Sequence, residues 1–370
     1  MTINAGCSST PQNKQVTQSP QYDSTNGTFR NSVTTALSDS SSFFSMLKRY
    51  FTEKKINSIP DGEIPVHPLT RQQLDQALTA ETAVYRLGHS SLLLTLNKKY
   101  WLIDPVFSDR ASPFSFAGPK RFHPTPIDLA ALPDIEGVII SHDHYDHLDK
   151  NTVKVLAESV NHFLVPLGVG RHLSDWGIEP HKVKELDWWE GVSINDVTFT
   201  ATPARHFSGR SLTDRNSTLW ASWAIEASDM KIFYSGDTGY FDGFKAIGKK
   251  FGGFDLAIME NGAYDRDWSQ IHMQPDETMQ AFLDLQAEAM LPVHNSTFDL
   301  AFHPWIEPLE RITALAKEQN ALLVTPEIGQ RLTRDNLNDH QGRWWRSVSS
   351  EALALTNKPL LPSDVVDSQG

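Results

Sequence analysis

The sequence predicts an α/β (α+β) protein with layered sheets, and two observations support this fold class. From about residue 83, short apolar runs are bounded by Gly, Pro, Asn or Asp, which is typical of strands. Helix-like stretches at 149–160, 275–290 and 305–318 lie between these runs, and such interleaving favours sheets covered by helices. The predicted strands are AVYRLG, SLLLTLN, YWLID, GVIIS, HFLVPL, VTFTATPA, LWASWAIEA, KIFYSGD, FDLAIME and AMLPVH.

The chain of 370 residues is acidic and contains one cysteine. Its net charge of −12 argues against nucleic acid as a partner, because phosphate backbones are bound by clustered Lys and Arg. The single cysteine, Cys7, excludes an internal disulfide and a cysteine-rich metal site. Any bound metal must therefore be held by His and Asp side chains.

We expect one catalytic domain over residues 43–340, after a disordered lead and before a polar tail. Residues 1–42 are rich in Ser, Thr, Gln and Asn and carry too little apolar surface to pack. Residues 43–82 are expected to form a helical extension. It begins with the amphipathic stretch FFSMLKRYFTEKK, which either docks on the core or lies on a membrane surface. Residues 341–370 form the polar tail.

The location of the chain is left open by the sequence. No segment approaches the roughly 20 apolar residues of a membrane-spanning helix, so a cytoplasmic chain, or one peripheral to the membrane, is the default expectation. NAGC at residues 4–7 ends like a lipoprotein cleavage box, although the basic and apolar segments that precede such a box are missing. An envelope lipoprotein anchored at Cys7 is the alternative. The oligomeric state is equally open, with a homodimer as one option.

The stretch GVIISHDHYDHLDK places three histidines and three aspartates directly after a predicted buried strand. His142, His144, Asp146 and His147 are spaced i, i+2, i+4 and i+5, so a loop can project them towards two neighbouring points. Imidazole and carboxylate are ligands for zinc, manganese or iron, and such sites keep a position open for water. This run therefore predicts a catalytic metal site.

Three further candidate ligands follow other predicted strands. His206 comes after VTFTATPAR, Asp237 ends KIFYSGD and His294 ends AMLPVH. A rigid sheet fixes groups at such positions while the adjoining loop leaves them accessible. Taken alone, each is more typical of a structural or turn residue, and only the His/Asp run favours their interpretation as ligands.

SHDHYDHLD resembles the H-x-H-x-D-H signature of the metallo-β-lactamase superfamily, and PARH, SGDTG and PVH follow in the order of its remaining ligands. A narrower resemblance, over about residues 28–335, is to the branch that contains N-acylphosphatidylethanolamine-hydrolysing phospholipase D and its bacterial relatives. It is carried by YRLGHSSLLL, WLIDPVFSDRASPFSFAGPKRF, SGRSLTDRNSTLWASW and MLPVHNSTFDLAFHPW. The resemblance implies an αββα four-layer sandwich that binds two Zn²⁺ ions, with Mn²⁺ or Fe²⁺ as alternatives.

By position, the resemblance also implies which residues hold the metals. One ion would be held by His142, His144 and His206, the other by Asp146, His147 and His294, with Asp237 bridging both. Asp146 is in addition counted among the catalytic groups.

The remaining site predictions concern residues around the ligands. His272 is implied to contact the substrate phosphate or to protonate the leaving alkoxide, the alternative being a histidine that caps a helix entry. Asp104 and His89 are interpreted as groups that orient ligands, or else as a turn aspartate and a buried histidine. Phe116 and Lys120 would line a lipid-accepting cleft and attract an anionic head group, unless the aromatic side chains of this loop pack beneath it.

Together these residues lead us to expect a dinuclear zinc-dependent hydrolase of phosphodiesters. Its substrate would be a phospholipid or another small anionic molecule. The narrower resemblance implies phospholipase D-type cleavage of N-acylphosphatidylethanolamine, which yields N-acylethanolamine and phosphatidic acid. A lactonase or sugar-lactone-phosphate hydrolase would keep the same site. A di-iron redox protein is less favoured, because no flavodoxin-like segment follows.

Overall fold

The computed structural model describes residues 16–35, 49, 52–53, 55–79 and 81–348. Its first element is a short antiparallel hairpin of β1 (Tyr22–Asp23) and β2 (Thr28–Phe29). Phe29 is only 1% exposed, since its ring packs into the main core. The disordered lead expected over 1–42 is therefore wrong for residues 16–35, because one buried aromatic side chain anchors this polar segment.

Two seven-stranded sheets form the centre of the described chain. The first sheet contains β3 (Ala83–Gly88), β4 (Ser91–Leu96), β5 (Lys99–Ile103), β6 (Ile135–Ile139), β7 (His162–Pro166), β8 (Val183–Leu186) and β16 (Arg331–Thr333). Its spatial order is β16-β3-β4-β5-β6-β7-β8. The pairings from β16 to β5 are antiparallel and those from β5 to β8 are parallel.

The second sheet repeats this plan. It contains β9 (Gly191–Ile194), β10 (Val197–Thr202), β11 (Ser222–Glu226), β12 (Lys231–Tyr234), β13 (Phe254–Glu260), β14 (Ala287–Val293) and β15 (Leu322–Leu323). The spatial order is β15-β14-β13-β12-β11-β10-β9, antiparallel from β9 to β12 and parallel from β12 to β15.

Six of the seven described helices cover the outer faces of the two sheets, and the last packs in a separate cluster with Trp305. The seven are α1 (Arg71–Ala77), α2 (Lys150–Leu156), α3 (Gly170–Asp175), α4 (Gly243–Phe251), α5 (Pro275–Asp284), α6 (Glu307–Gln319) and α7 (Trp345–Val348). Short 3₁₀ turns lie at Leu129–Ala131, Pro180–Lys182, Arg266–Trp268 and Arg334–Asp339. No helix within the described residues is long and apolar enough to cross a membrane.

Three apolar clusters define the layers. The inner faces of both sheets share one core, in which the rings of Trp101 and Phe199 lie 4.3 Å apart. The outer face of the first sheet packs on α1, α2 and α3, and that of the second sheet on α4, α5 and α6. This arrangement is the αββα sandwich, so the predicted fold is confirmed.

Element bounds agree with the sequence prediction over most of the sandwich. All ten predicted strands and the three predicted helices are present. The helix predicted over 275–290 ends earlier, at Asp284, because Gln286 takes a left-handed conformation (φ 56°) before β14 begins.

Both predicted domain boundaries shift. Trp344 and Trp345, assigned to the polar tail, are 6% and 0% exposed and pack on Trp305, so the packed chain extends to Val348. Most of the amphipathic stretch at 43–55 lies outside the described residues. Two of its cations are described, and they pair with protein carboxylates: Arg49 with Asp265 at 2.7 Å and Lys55 with Asp299 at 2.9 Å.

Candidate metal centre

The signature loop, residues 141–149, follows the C-terminal end of β6 in the first sheet. The buried carboxylate of Asp104 holds the start of this loop. Asp104 Oδ1 accepts a hydrogen bond from Ser141 N at 2.7 Å, and Oδ2 accepts one from Ser141 Oγ at 2.5 Å. Oδ2 also accepts from His147 Nδ1 at 2.7 Å, which leaves Nε2 of that ring free for another partner. These contacts fit the predicted orienting role of Asp104.

Two other aspartates of the loop have structural partners. Asp143 is buried and accepts hydrogen bonds from Gly209 N, His172 Nε2 and Thr218 Oγ1 at 2.8–3.1 Å. Asp149 caps α2, since its side chain accepts from Asn151 N. Both side chains fix the path of the loop.

The first group of candidate ligands contains His142, His144, His206 and Asp237. His142 Nε2 lies 2.9 Å from His144 Nδ1, and His206 Nε2 lies 3.3 Å from the same atom. His206 Nδ1 donates to the carbonyl of Ile271 at 3.0 Å, which leaves its Nε2 unprotonated. Three ring nitrogens thus lie close together, in the group that the family resemblance implies for one ion.

The second group contains Asp146, His147, His294 and also His89. Asp146 Oδ2 lies 3.5 Å from His147 Nε2 and 3.9 Å from His294 Nε2. His89 Nε2 lies 3.0 Å from the same carboxylate oxygen. This hydrogen bond fits the predicted orienting role of His89, although its ring nitrogen lies within the same 4.8 Å group as the three predicted ligands.

Asp237 lies between the two groups. Its Oδ1 is 3.0 Å from His294 Nδ1 and its Oδ2 is 3.2 Å from His147 Nε2 on one side. On the other side, Oδ2 is 3.7 Å from His142 Nε2 and 3.8 Å from His206 Nε2. The carboxylate is therefore placed to contact two neighbouring cations at once.

Charges in the centre are arranged for a cation. Burial lowers the pKa of His142, His206 and His294 well below 6.5, and it lowers the pKa of His144 to about 4. These rings are consequently neutral at pH 7, which is the form that binds metal. Burial acts in the same direction on His147, but the carboxylates of Asp237 and Asp146 outweigh it and hold the pKa of His147 well above 6.5.

Two buried polar atoms that lack hydrogen-bond partners in the described part of the chain indicate whether divalent metal ions fit this site. Neither His147 Nε2 nor Asp237 Oδ1 has a hydrogen-bond partner among the described residues, because the close approaches around Asp237 are not aligned for hydrogen bonds. Buried polar atoms without partners are costly, and cations between the imidazoles and the carboxylates would satisfy them. The donor set therefore fits a pair of divalent ions.

His272 lies beside both groups, and its ring centre is 5.1 Å from that of His206 and 5.3 Å from that of His294. Its Nδ1 lies 3.2 Å from Oε1 of Glu260, a fully buried carboxylate at the end of β13. Sequence reasoning missed Glu260. The signal was available, since FDLAIME ends a predicted strand in the same way as the strands before Asp237 and His294.

The two predicted substrate contacts on the loop after β5 are exposed side chains. Phe116 is 80% exposed and its ring contacts Phe114 at 5.5 Å, while Lys120 is exposed to solvent. Their contact with substrate remains a prediction.

Comparisons with known proteins agree with this geometry. The family described as "Beta-lactamase superfamily domain" matches residues 100–295. An uncharacterised protein of Mycobacterium tuberculosis is 44% identical over 284 residues, covering 75% of this chain and 76% of the relative. N-acyl-phosphatidylethanolamine-hydrolyzing phospholipase D 1 of Caenorhabditis elegans is 34% identical over 290 residues, covering 73% of this chain and 80% of the relative.

A solved structure shows the same fold. Igni18, a metallo hydrolase from the archaeon Ignicoccus hospitalis, superposes with a TM-score of 0.53 at 17% identity. The match covers 68% of this chain and 97% of Igni18. From its sequence, fold and site, the chain belongs to the beta-lactamase superfamily and is a metal-dependent hydrolase with the metallo-β-lactamase fold.

Proposed function

We propose that the protein is a dinuclear zinc-dependent phosphodiesterase that cleaves N-acylphosphatidylethanolamine in the manner of a phospholipase D. The observation that carries the dinuclear site is the position of Asp237 between two His/Asp groups. The named activity of the C. elegans relative supports the substrate.

The site would hold one ion through His142, His144 and His206 and the other through Asp146, His147 and His294, with Asp237 shared. Divalent ions bound there would supply Lewis-acid stabilisation of negative charge and favour the ionisation of a water. A phosphodiester suits such a site, because its anionic oxygens complement two cations.

A residue of the chain, His272, would also transfer a proton to the leaving group. Water adds to phosphorus and the bond from phosphorus to the head-group oxygen breaks, which releases N-acylethanolamine and leaves phosphatidic acid. Since Nδ1 of His272 is held by Glu260, Nε2 is the atom at which this ring moves a proton. Burial lowers the pKa of His272, so the resting ring is neutral with Nε2 free. Nε2 would take up the proton that the attacking water releases and pass it to the leaving alkoxide.

The test is mass-spectrometric product analysis on vesicles that contain N-acylphosphatidylethanolamine. Zinc-loaded wild type would be compared with His294→Ala, which loses a ligand, and with His181→Ala, which changes a histidine whose side chain is 74% exposed. Wild type and His181→Ala should release N-acylethanolamine and phosphatidic acid. His294→Ala should lose activity by about 100-fold or more, while its unfolding stays cooperative.

Other outcomes separate the parts of the proposal. Intact lipid with a wild-type protein that binds two Zn²⁺ would overturn the substrate and point to smaller phosphodiesters or to lactones. Full turnover by His294→Ala would overturn the ligand assignment.

A further inference from the structure

His206 lies beyond the last residue of its strand, so neither sheet holds its backbone. β10 ends at Thr202, and the chain from 203 to 209 is irregular. A buried peptide group outside a helix or sheet needs other hydrogen-bond partners for its N–H and C=O. The ring contact to Ile271 fixes the rotation of the imidazole but not the position of its backbone.

Those partners come from residues 16–35, which we call the N-terminal strap. The side-chain amide of Asn31 donates from Nδ2 to the carbonyl oxygen of His206 at 2.9 Å. Asn31 Oδ1 accepts the N–H of His206 at 3.0 Å. One amide side chain thus satisfies both polar groups of the peptide backbone at a metal-ligating residue.

The strap is itself anchored next to Asn31. Phe29 is buried in the core between the sheets, and its N–H donates to the carbonyl of Asn216 at 2.7 Å. Trp220 Nε1 donates to Asn31 Oδ1 at 3.0 Å. The amide of Asn31 is therefore held in one orientation from both sides.

Arg205 extends the same connection to the loop that carries Asp237. Its guanidinium donates from Nε to Thr35 Oγ1 at 3.1 Å and from Nη2 to the carbonyl of Thr34 at 3.2 Å. Its backbone N–H donates to Thr238 Oγ1 at 2.9 Å. The strap thus contacts His206 through Asn31 and the preceding residue, Arg205, through Thr34 and Thr35.

We propose that the N-terminal strap is part of the metal site and that Asn31 is a positioning residue. Asn31 holds the backbone of His206 so that its imidazole faces the ion that His142 and His144 would also bind. The inference rests on the ligand set proposed above. The strap lies outside the region 100–295 that matches the family, so metal affinity in this chain depends on residues beyond that region. Groups that orient ligands from behind typically contribute about 10- to 100-fold in metal affinity.

The test is the Asn31→Asp variant, with Zn²⁺ affinity measured by competition with a chromogenic chelator. The carboxylate keeps an oxygen for the N–H groups of His206 and Trp220. Its second oxygen cannot donate to the carbonyl of His206 and repels it. We expect one of the two Zn²⁺ ions to bind about 10-fold or more weakly, while the other keeps its wild-type dissociation constant. The control is Ser32→Ala, a change at the exposed neighbouring residue, which should match wild type.

Thermal unfolding in excess chelator separates positioning from packing. A merely structural Asn31 would lower the unfolding temperature and leave both Zn²⁺ dissociation constants unchanged, which would overturn the inference. Asn31→Ala removes the two hydrogen bonds with His206 and the one from Trp220 without adding a charge, and it repeats the test should the carboxylate prevent folding. A wild-type chain that binds fewer than two Zn²⁺ would instead contradict the proposed centre itself.

Discussion

At the scale of single residues, Glu260 connects two parts of the site. Its Oε1 accepts from His272 Nδ1 at 3.2 Å and from Met273 N at 2.8 Å, and its Oε2 accepts from Thr238 N at 2.8 Å. Thr238 follows Asp237, the candidate ligand shared by both groups, so one buried carboxylate holds the loop of Asp237 and the ring of His272. A glutamine has one acceptor oxygen and cannot serve N–H donors on both sides.

We predict that Glu260→Gln lowers kcat by about 10- to 100-fold with little change in KM, because His272 loses its fixed orientation. Turnover of the vesicle substrate and the zinc content would be measured together, and two Zn²⁺ per chain should remain bound. The matched control is Glu288→Gln, at a carboxylate whose side chain is 68% exposed. In a His272→Ala background the Glu260 change should add little, and fully additive losses would show that Glu260 does not act through His272.

The candidate ligands could be picked out from the sequence because their residue types occur in one short run, HDHYDH, and at the ends of predicted strands. Glu260 ends a predicted strand in the same way and could have been noted as a candidate, but its role depends on which loops the fold brings to its two oxygens. Asn31 carried no local signal at all, since an asparagine in a Ser/Thr/Asn-rich segment is compositionally indistinguishable from its neighbours. The burial of Phe29, two residues earlier, and the hydrogen bond from Trp220 hold it beside His206.

At the scale of elements, strands were predicted well because most of them are buried on both faces and read as continuous apolar runs. All six residues of β3 and all six of β4 are buried, for example. The strands that escaped prediction, such as β9 with its alternating exposed and half-buried residues, are short and lie at sheet edges. Weak periodicity over four residues does not distinguish such a strand from a loop.

The pairing of β5 with β6 gives a prediction about the strand that leads into the signature loop. Gly137 is paired with Trp101, and a Cβ at Gly137 would lie 2.2 Å from the indole ring. Gly137→Ala should therefore lower the free energy of unfolding by about 1–3 kcal/mol through overpacking, as measured by urea unfolding. The cost should shrink in a Trp101→Phe background, where the ring is smaller.

The control for this prediction is Gly342→Ala, since a Cβ there would meet no described atom within 4 Å. Equal unfolding free energies for the two alanine variants would mean that β6 shifts to accept the methyl group. The Trp101–Gly137 contact would then not fix the strand that precedes the ligands.

At the scale of the whole molecule, the two sheets share one plan, antiparallel at one end and parallel at the other. The candidate ligands lie where strands of both sheets end. His142 follows β6 of the first sheet, and Asp237 and His294 follow β12 and β14 of the second. The sequence predicts layered sheets from the interleaving of strands and helices. The order of strands within each sheet depends on long-range pairing, which local pattern does not reveal, and here the family resemblance supplied what periodicity could not.

The concentration of buried histidines makes the stability of the whole molecule sensitive to acid. His123, which lies outside the ligand groups, illustrates the sign. Burial, aided by the charge of Arg121, lowers its pKa to about 3 from an ordinary value of 6.5. Between these values the unfolded chain binds a proton that the folded chain excludes, so the free energy of unfolding falls as the pH drops through this window. One histidine contributes a slope of about 1.4 kcal/mol per pH unit.

We predict that His123→Gln flattens this acid dependence by about one proton. Glutamine can still donate to the carbonyl of Pro124 and accept from Thr297, the two partners of the imidazole, but it does not titrate. Urea unfolding from pH 4 to pH 7 in excess chelator would measure the slope, since the ligand histidines then titrate alike in both proteins. His181→Gln, at an exposed ring, should keep the wild-type slope. Parallel curves for His123→Gln and wild type would mean that His123 gains solvent, and hence its proton, before the molecule unfolds.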